Sequence, residues 1–213
     1  MMKISKIGYS LLSSIALCVA GAASAQSWDA VGDFDQTANP SGYGPWSYES
    51  SSGLLSMSTA ACFGTPNLFC WKGGPPAVFD TPFVGINTGT APFVTGGGHV
   101  IVESALILHP GPNSGGDRVK VRFTAPTTGR YRFVGHFQLI DRNATASGII
   151  AQIKCSFCLN PMQSWTFGNF GTTRIFNQTR YIGAGDSVTF EVDNNGSYNN
   201  DLTALKVAVL KLL

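Results

Sequence analysis

From residue 99 onward, apolar and polar positions alternate in short runs separated by turn residues. In "RVKVRFTAPTTGRYRFVGHFQL", Val119, Val121 and Phe123 alternate with Arg118, Lys120 and Arg122. Beyond Ala125-Pro126-Thr127-Thr128-Gly129, Tyr131 and Phe133 alternate with Arg130 and Arg132. A period of two gives a strand one buried and one solvated face. Pro and Gly between the two runs suit a tight turn, so the segment predicts a β-hairpin. The same reading predicts strands over 99–108, 148–154, 164–170, 173–182 and 202–212, and places Val188, Phe190 and Val192 on one face of another.

Before residue 99 the pattern is looser. "WDAVGDFDQTANPSGYGPWSYES" is aromatic with Gly and Pro, and "GLLSMSTAACF" and "LFCWK" predict two strands flanking a loop. Residues 73–98, rich in Gly, Pro and Thr, predict a long ordered loop with one short strand. There is no helical periodicity after the first 25 residues, no internal repeat and no linker. The expected architecture is all-β: a two-sheet antiparallel β-sandwich, a jelly roll, formed by one domain over 26–213.

The first 25 residues read differently. Lys3 and Lys6 precede an apolar run over 7–20, and Ala23-Ser24-Ala25 is a small-residue cleavage site, which together predict a secretory signal peptide cut before Gln26. The run is short and diluted by Ser and Gly, and Leu17 is bulky for a lipidation signal at Cys18. No later stretch is long and apolar enough for a transmembrane segment. The expectation is an exported protein, extracellular or periplasmic. Loss of Lys3 and Lys6 brings the 14 basic residues level with the 12 acidic ones. Nucleic-acid binding needs a strong positive field, and a neutral chain excludes it.

An even set of cysteines in an exported chain favours disulfides. Cys62 and Cys70 bracket a turn at Pro66-Asn67, and Cys155 and Cys158 lie where a strand must reverse. Local bridges Cys62–Cys70 and Cys155–Cys158 come first; cross-pairing of the two loops is the alternative. A four-cysteine zinc site wants two short knuckles, and a redox C-x-x-C wants a helix after it. Asn160-Pro161 follows instead.

No G-x-S-x-G or H-E-x-x-H motif is present, and His109 in "LHPG" reads as a strand-ending residue whose ring caps backbone groups. Glu103, Asp141 and Glu191 are carboxylates of the type any sandwich carries. The loop "DNNGSYNNDLT" offers Asp193, Asn195, Asn199 and Asp201, hard oxygen donors for calcium, although such residues also form Asx-turns. Among the aromatics, Trp28, Tyr43, Trp46, Tyr48, Trp71, Trp165 and Tyr198 have the ring size to stack on a sugar. If the predicted hairpin pairs Thr124 with Arg130, then Arg118, Lys120, Arg122, Arg130 and Arg132 share one face. Like charges so opposed are unfavourable, so either Glu191 or Asp193 neutralises them or the face holds an anionic polysaccharide.

Several segments together resemble a widespread group of secreted bacterial proteins, many of which carry a C-terminal PEP-CTERM sorting tag. The resemblance lies in Phe34, Asn39-Pro40, Gly42 and Trp46-Ser47-Tyr48; in 108–111 and 121–137; and in Gly185-Asp186, Val188, Phe190, Val192, Gly196, Asp201 and Thr203. It implies a jelly roll shaped like carbohydrate-binding modules, with no established activity. This chain lacks the tag and has four cysteines where such proteins usually have none. Together the readings predict a secreted, non-catalytic β-sandwich, structural or associated with an extracellular matrix or envelope. A carbohydrate-binding module for an extracellular polysaccharide is the alternative.

Overall fold

The computed structural model describes residues 25–57, 62–73, 81–112, 117–142, 148–197, 199 and 201–213. Residues 1–24 of the predicted signal peptide and Tyr198 lie outside the described residues. Sixteen strands follow in chain order: β1 (Ser27–Asp29), β2 (Trp46–Ser50), β3 (Gly53–Leu54), β4 (Ser56–Met57), β5 (Leu68–Lys72), β6 (Phe83–Asn87), β7 (Phe93–Val94) and β8 (Val100–Ile101). Then come β9 (Leu106–His109), β10 (Val119–Thr124), β11 (Gly129–Leu139), β12 (Ile149–Cys155), β13 (Gln163–Phe167), β14 (Thr173–Ile182), β15 (Ser187–Asp193) and β16 (Thr203–Leu212).

An eight-stranded sheet runs β14-β11-β16-β9-β6-β5-β4, with β1 also joined to β16. A six-stranded sheet runs β13-β12-β15-β10-β2-β3, and β7 and β8 make a small ribbon. From β9 onward the pairing is nested: β9 with β16, β10 with β15, β11 with β14, and β12 with β13, all antiparallel. A long hairpin rolled so that its successive pairs fall in alternate sheets is a jelly roll. The predicted two-sheet antiparallel sandwich is therefore the fold.

The predicted hairpin is not a hairpin. β10 pairs with β15 and β2 in one sheet, and β11 pairs with β14 and β16 in the other. Alternation correctly identified Val119, Val121, Phe123, Tyr131 and Phe133 as buried. It could not say from which sheet each points inward, because both sheets present the same period to the core. Phe123 and Tyr131 face each other across the sandwich, 5.7 Å between ring centroids. The connection at 125–128 spans the end of the sandwich, tied by Ala125 N–H to the Asp186 carbonyl and by the Tyr131 hydroxyl to the Thr127 carbonyl.

Three further expectations change. The strand read over 99–108 is β8 and β9, broken by a turn at Glu103-Ser104. Within 73–98, β6 is a full member of the larger sheet, between β5 and β9. Pro82 and Gly85 disguised it as loop, yet Gly85 suits a strand here: a Cβ would lie 2.8 Å from the Phe69 carbonyl oxygen on β5. The strand read over 164–170 ends at Phe167.

The core between the sheets is strongly aromatic, with Trp46, Tyr48, Phe123, Tyr131, Phe133, Phe137, Phe167, Phe176 and Phe190 fully buried. A second apolar cluster, including Leu68, Phe83, Ile101, Ile107 and Leu202, forms separately from it. β15 is buried along its whole length, on both faces. At Gly135 on β11 the packing leaves no room: a Cβ would stand 1.9 Å from the Lys206 carbonyl oxygen of β16 and 2.8 Å from the Phe176 ring. Backbone cannot yield there without separating two strands. Gly135→Ala should therefore lower stability by about 3 kcal/mol in urea unfolding, while Val134→Ala, one residue away and half-buried, should cost much less.

Candidate functional site

The sandwich presents two outer faces with opposite electrostatics. On the six-stranded sheet, β10 carries Lys120 and Arg122 outward between acidic and hydroxyl neighbours on β2 and β15; Lys120 is in register with Glu49 and Glu191. Arg122 donates from Nε and Nη2 to the two Glu49 carboxylate oxygens at 2.6 and 2.8 Å, and from Nη1 to Ser187 Oγ at 2.7 Å. Just before the strand, Arg118 donates to Asp193 at 2.8 Å, and Lys154 on β12 donates to Glu191 at 2.8 Å. Burial works to raise the Glu49 carboxyl, and the Arg122 guanidinium more than reverses it, leaving it below its usual range. The same pair raises Arg122. Long basic side chains beside the acids help explain how Glu191 and Asp193 can be buried on an outward face.

The other face has no such balance. Strands β11, β14 and β16 contain no Asp or Glu. Tyr131, Phe133 and Phe137 point inward, so Arg130, Arg132, Val134, His136 and Gln138 point outward. In register beside them stand Tyr181, Thr179, Asn177 and Ile175 on β14, and Leu212, Leu210, Ala208 and Lys206 on β16. Tyr181 and Ile175 are 68% and 79% exposed, the degree to which an aromatic and an aliphatic group stand free for contact. Arg132 Nε donates to Asn177 Oδ1 at 2.9 Å. Among the described residues, Arg130, Arg132 and Lys206 have no acidic partner within ion-pair distance. The nearby Lys206 charge, after burial, holds His136 below the ordinary histidine range. At the border, Asp29 of β1 accepts from the Val31 and Gly32 N–H groups.

The five cations grouped in sequence analysis are therefore not one patch. Arg118, Lys120 and Arg122 belong to a neutralised face, whereas Arg130 and Arg132 belong to the other sheet. The hairpin that brought them together does not exist. Lys206, Tyr181, Asn177 and Ile175 complete the second group, and sequence reading missed them. The signal was present as three strand-length runs without a carboxylate.

Of the aromatics, Trp46, Tyr48 and Trp71 are core, Trp28 and Trp165 pack partly buried against it, and Tyr43 is exposed. His109 is buried, stacked on Phe83, with Nδ1 2.7 Å from the Pro110 carbonyl. Burial drives it down to about 4. Both cysteine pairs are joined locally, Cys62 to Cys70 with Cα atoms 6.0 Å apart and Cys155 to Cys158 at 5.2 Å. The first lies in the second apolar cluster; the second closes the end of β12.

In the loop read for calcium, Asp193 is engaged by Arg118 and by the Asn194 N–H, and Asn195 sits at a positive φ of 42° as a turn residue. Asp201 stands apart, buried and with neither carboxylate oxygen accepting a hydrogen bond. Burial, then the Asp141 and Asp193 charges, raise it to about 8. Among the described residues, no three His, Cys, Asp or Glu side chains close around one point. No described helix is long and apolar enough to cross a membrane.

No protein-family model matches the chain, and no curated protein matches it in sequence. Solved structures that match the chain include CBM51 from Clostridium perfringens GH95 in complex with methyl-galactose, at 10% identity and a TM-score of 0.39, covering 87% of this chain and 100% of that one. Murine APRIL, at 15% identity and a TM-score of 0.33, covers 51% of this chain and 98% of its own. Bushbaby GITRL, at 17% and 0.29, covers 44% of this chain and 68% of its own. The jelly roll stands on strand order alone, and the names of these proteins say nothing of what this chain binds.

Two outcomes follow for stability. Arg122→Ala should cost about 1–3 kcal/mol near neutral pH, because it strands a partly buried Glu49. Glu49 stabilises above its unfolded pKa of about 4.3 and ceases to as pH falls through its lower folded value. The measured difference between the two proteins should accordingly shrink in acid. Replacing both cysteines by Ser should cost about 2.5 kcal/mol at Cys62/Cys70 and about 2 kcal/mol at Cys155/Cys158, since the longer loop restricts the unfolded chain more. Thermal unfolding of the two variants ranks them.

Proposed function

We propose that this chain is an exported, non-catalytic jelly-roll domain that forms part of an extracellular or envelope layer. It attaches there by holding an anionic polysaccharide against the outer face of β14, β11 and β16. The observation that supports this reading is the segregation of charge: a nearly neutral chain keeps its acids off three adjacent strands while those strands expose Arg130, Arg132 and Lys206. Stability does not require this, because the opposite face shows the same chain neutralising its cations one by one.

The group has the chemistry of a polyanion receptor. Guanidinium forks match carboxylate or sulfate oxygens two at a time. Tyr181, in register with Arg130, offers a ring face and a hydroxyl for a sugar. The rows from Arg130 to His136 extend over about 20 Å of strand, a length suited to a chain rather than a single sugar. Two local disulfides fit an oxidising compartment.

A glycan array probed with the chain lacking residues 1–25 tests the reading. Uronate or sulfated polysaccharides should be retained at low salt and released as sodium chloride screens the face. Arg130→Ala with Arg132→Ala should weaken retention at least about tenfold, and Arg118→Ala with Lys120→Ala should leave it unchanged. Equal retention of neutral glycans, lost with Tyr181→Ala alone, would replace the anionic ligand by a neutral one. Retention indifferent to Arg130, Arg132 and Tyr181 would remove the site.

A further inference from the structure

The segment between β15 and β16 buries a carboxylate that the fold leaves unanswered. A buried carboxylate ordinarily collects hydrogen-bond donors or an opposite charge. Asp35 of this protein shows the usual solution: it accepts from the N–H groups of Thr37, Ala38 and Gly42 and from the Thr37 hydroxyl. Burial raises that carboxyl, and these bonds outweigh it, bringing Asp35 to about 2. Asp201, only 1% exposed, has no donor at either oxygen. The charges that act on it are two more acids, Asp141 at the end of β11 and Asp193 at the end of β15.

Arg118 pairs with Asp193. Asp141 lies 3.5 Å from His99 Nδ1, and that nitrogen is itself buried without a hydrogen bond. The three carboxylates are buried, and Asp201 accepts from no donor. Loop residues on the same corner are rich in oxygen: Asn194, Asn195, Ser197 and Asn199 precede Asp201.

We propose that this corner is a divalent-cation site of the calcium type, with Asp201 as its principal ligand and Asp141 as the neighbouring carboxylate. Because no three acidic, His or Cys side chains meet at one point among the described residues, amide and backbone carbonyl oxygens of residues 193–197 and 199 complete the shell. Calcium accepts such oxygens in numbers and in irregular geometry. Zinc asks for three or four close His, Cys or carboxylate ligands, which the described residues do not assemble. The ion ties the entry of β16 to the end of β11, where Ile140 N–H already donates to the Leu202 carbonyl.

The test uses the whole chain without residues 1–25, metal-stripped, and calcium chloride as the ligand. Calcium in large excess over its dissociation constant should raise the melting temperature by about 5–10 °C at pH 7.5, and calorimetric titration should give one site. Asp201→Asn should abolish both effects, and Asp141→Asn should weaken them. No heat of binding and no thermal shift in the wild-type protein would overturn the proposal, as would calcium binding that survives Asp201→Asn. If Asp201→Asn does not fold, the wild-type titration with Asp141→Asn beside it decides: one-site heat weakened by that change supports the site, and heat that is absent or unchanged overturns it.

Discussion

Phe123 meets the rings of Trp28, Trp46, Tyr131 and Phe133 edge-on, at centroid distances of 5.4, 5.3, 5.7 and 5.7 Å. Those rings come from β1, β2 and β11, so one side chain joins strands of both sheets. Each edge-on pair is worth about 0.5–1.5 kcal/mol beyond the area it buries, and the geometry matters as much as the energy. If β10 and β11 were hydrogen-bonded neighbours, Phe123 and Tyr131 would stand side by side on one sheet. Set in opposite sheets, they interdigitate, and the chain must cross from sheet to sheet at 125–128. The nested pairing of later strands is compatible only with that crossing.

Much of this was legible. Period-two runs located β10, β11, β12, β14, β15 and β16, and the fold class came with them, because alternation reports burial directly. What alternation lacks is partner information. Val119 to Phe123 reads the same whether its neighbour is β11 or β15, and only tertiary packing separates the two. The one short strand expected within 73–98 was not placed for a different reason: Gly85 of β6 is there to admit a neighbouring backbone, and a lone glycine reads as a loop. The local cysteine pairs were legible because short separations limit geometry, whereas Asp201 was legible as an oxygen donor but not as a buried, unanswered one. Sequence offers no measure of burial inside a loop.

The charge pattern shows how one secondary-structure signal serves two ends. Arg122 on β10, Arg118 just before it and Lys154 on β12 lie against Glu49, Asp193 and Glu191, and they act as covers for a buried central strand. On β11 the same alternating Arg residues face only uncharged neighbours. Nothing in "RVKVRF" and "RYRF" distinguishes them locally. The distinction lies some 40 to 80 residues away, in whether the strands alongside carry carboxylates. Net charge near zero is therefore no guide to the field at either face.

The place of β16 in the larger sheet has a consequence for how the chain can be made. It lies between β11 and β9 and also receives β1, so without it that sheet is left in separate pieces with unsatisfied edges. A ribosome delivers residues in order, so β1 to β15 emerge before this strand does. Until then the first strand has nothing to pair with, and the contacts that close the sheet join residues nearly two hundred positions apart. Such long-range closure is slow relative to local folding. The larger sheet of a nascent chain of this design therefore stays open until β16 itself has been made.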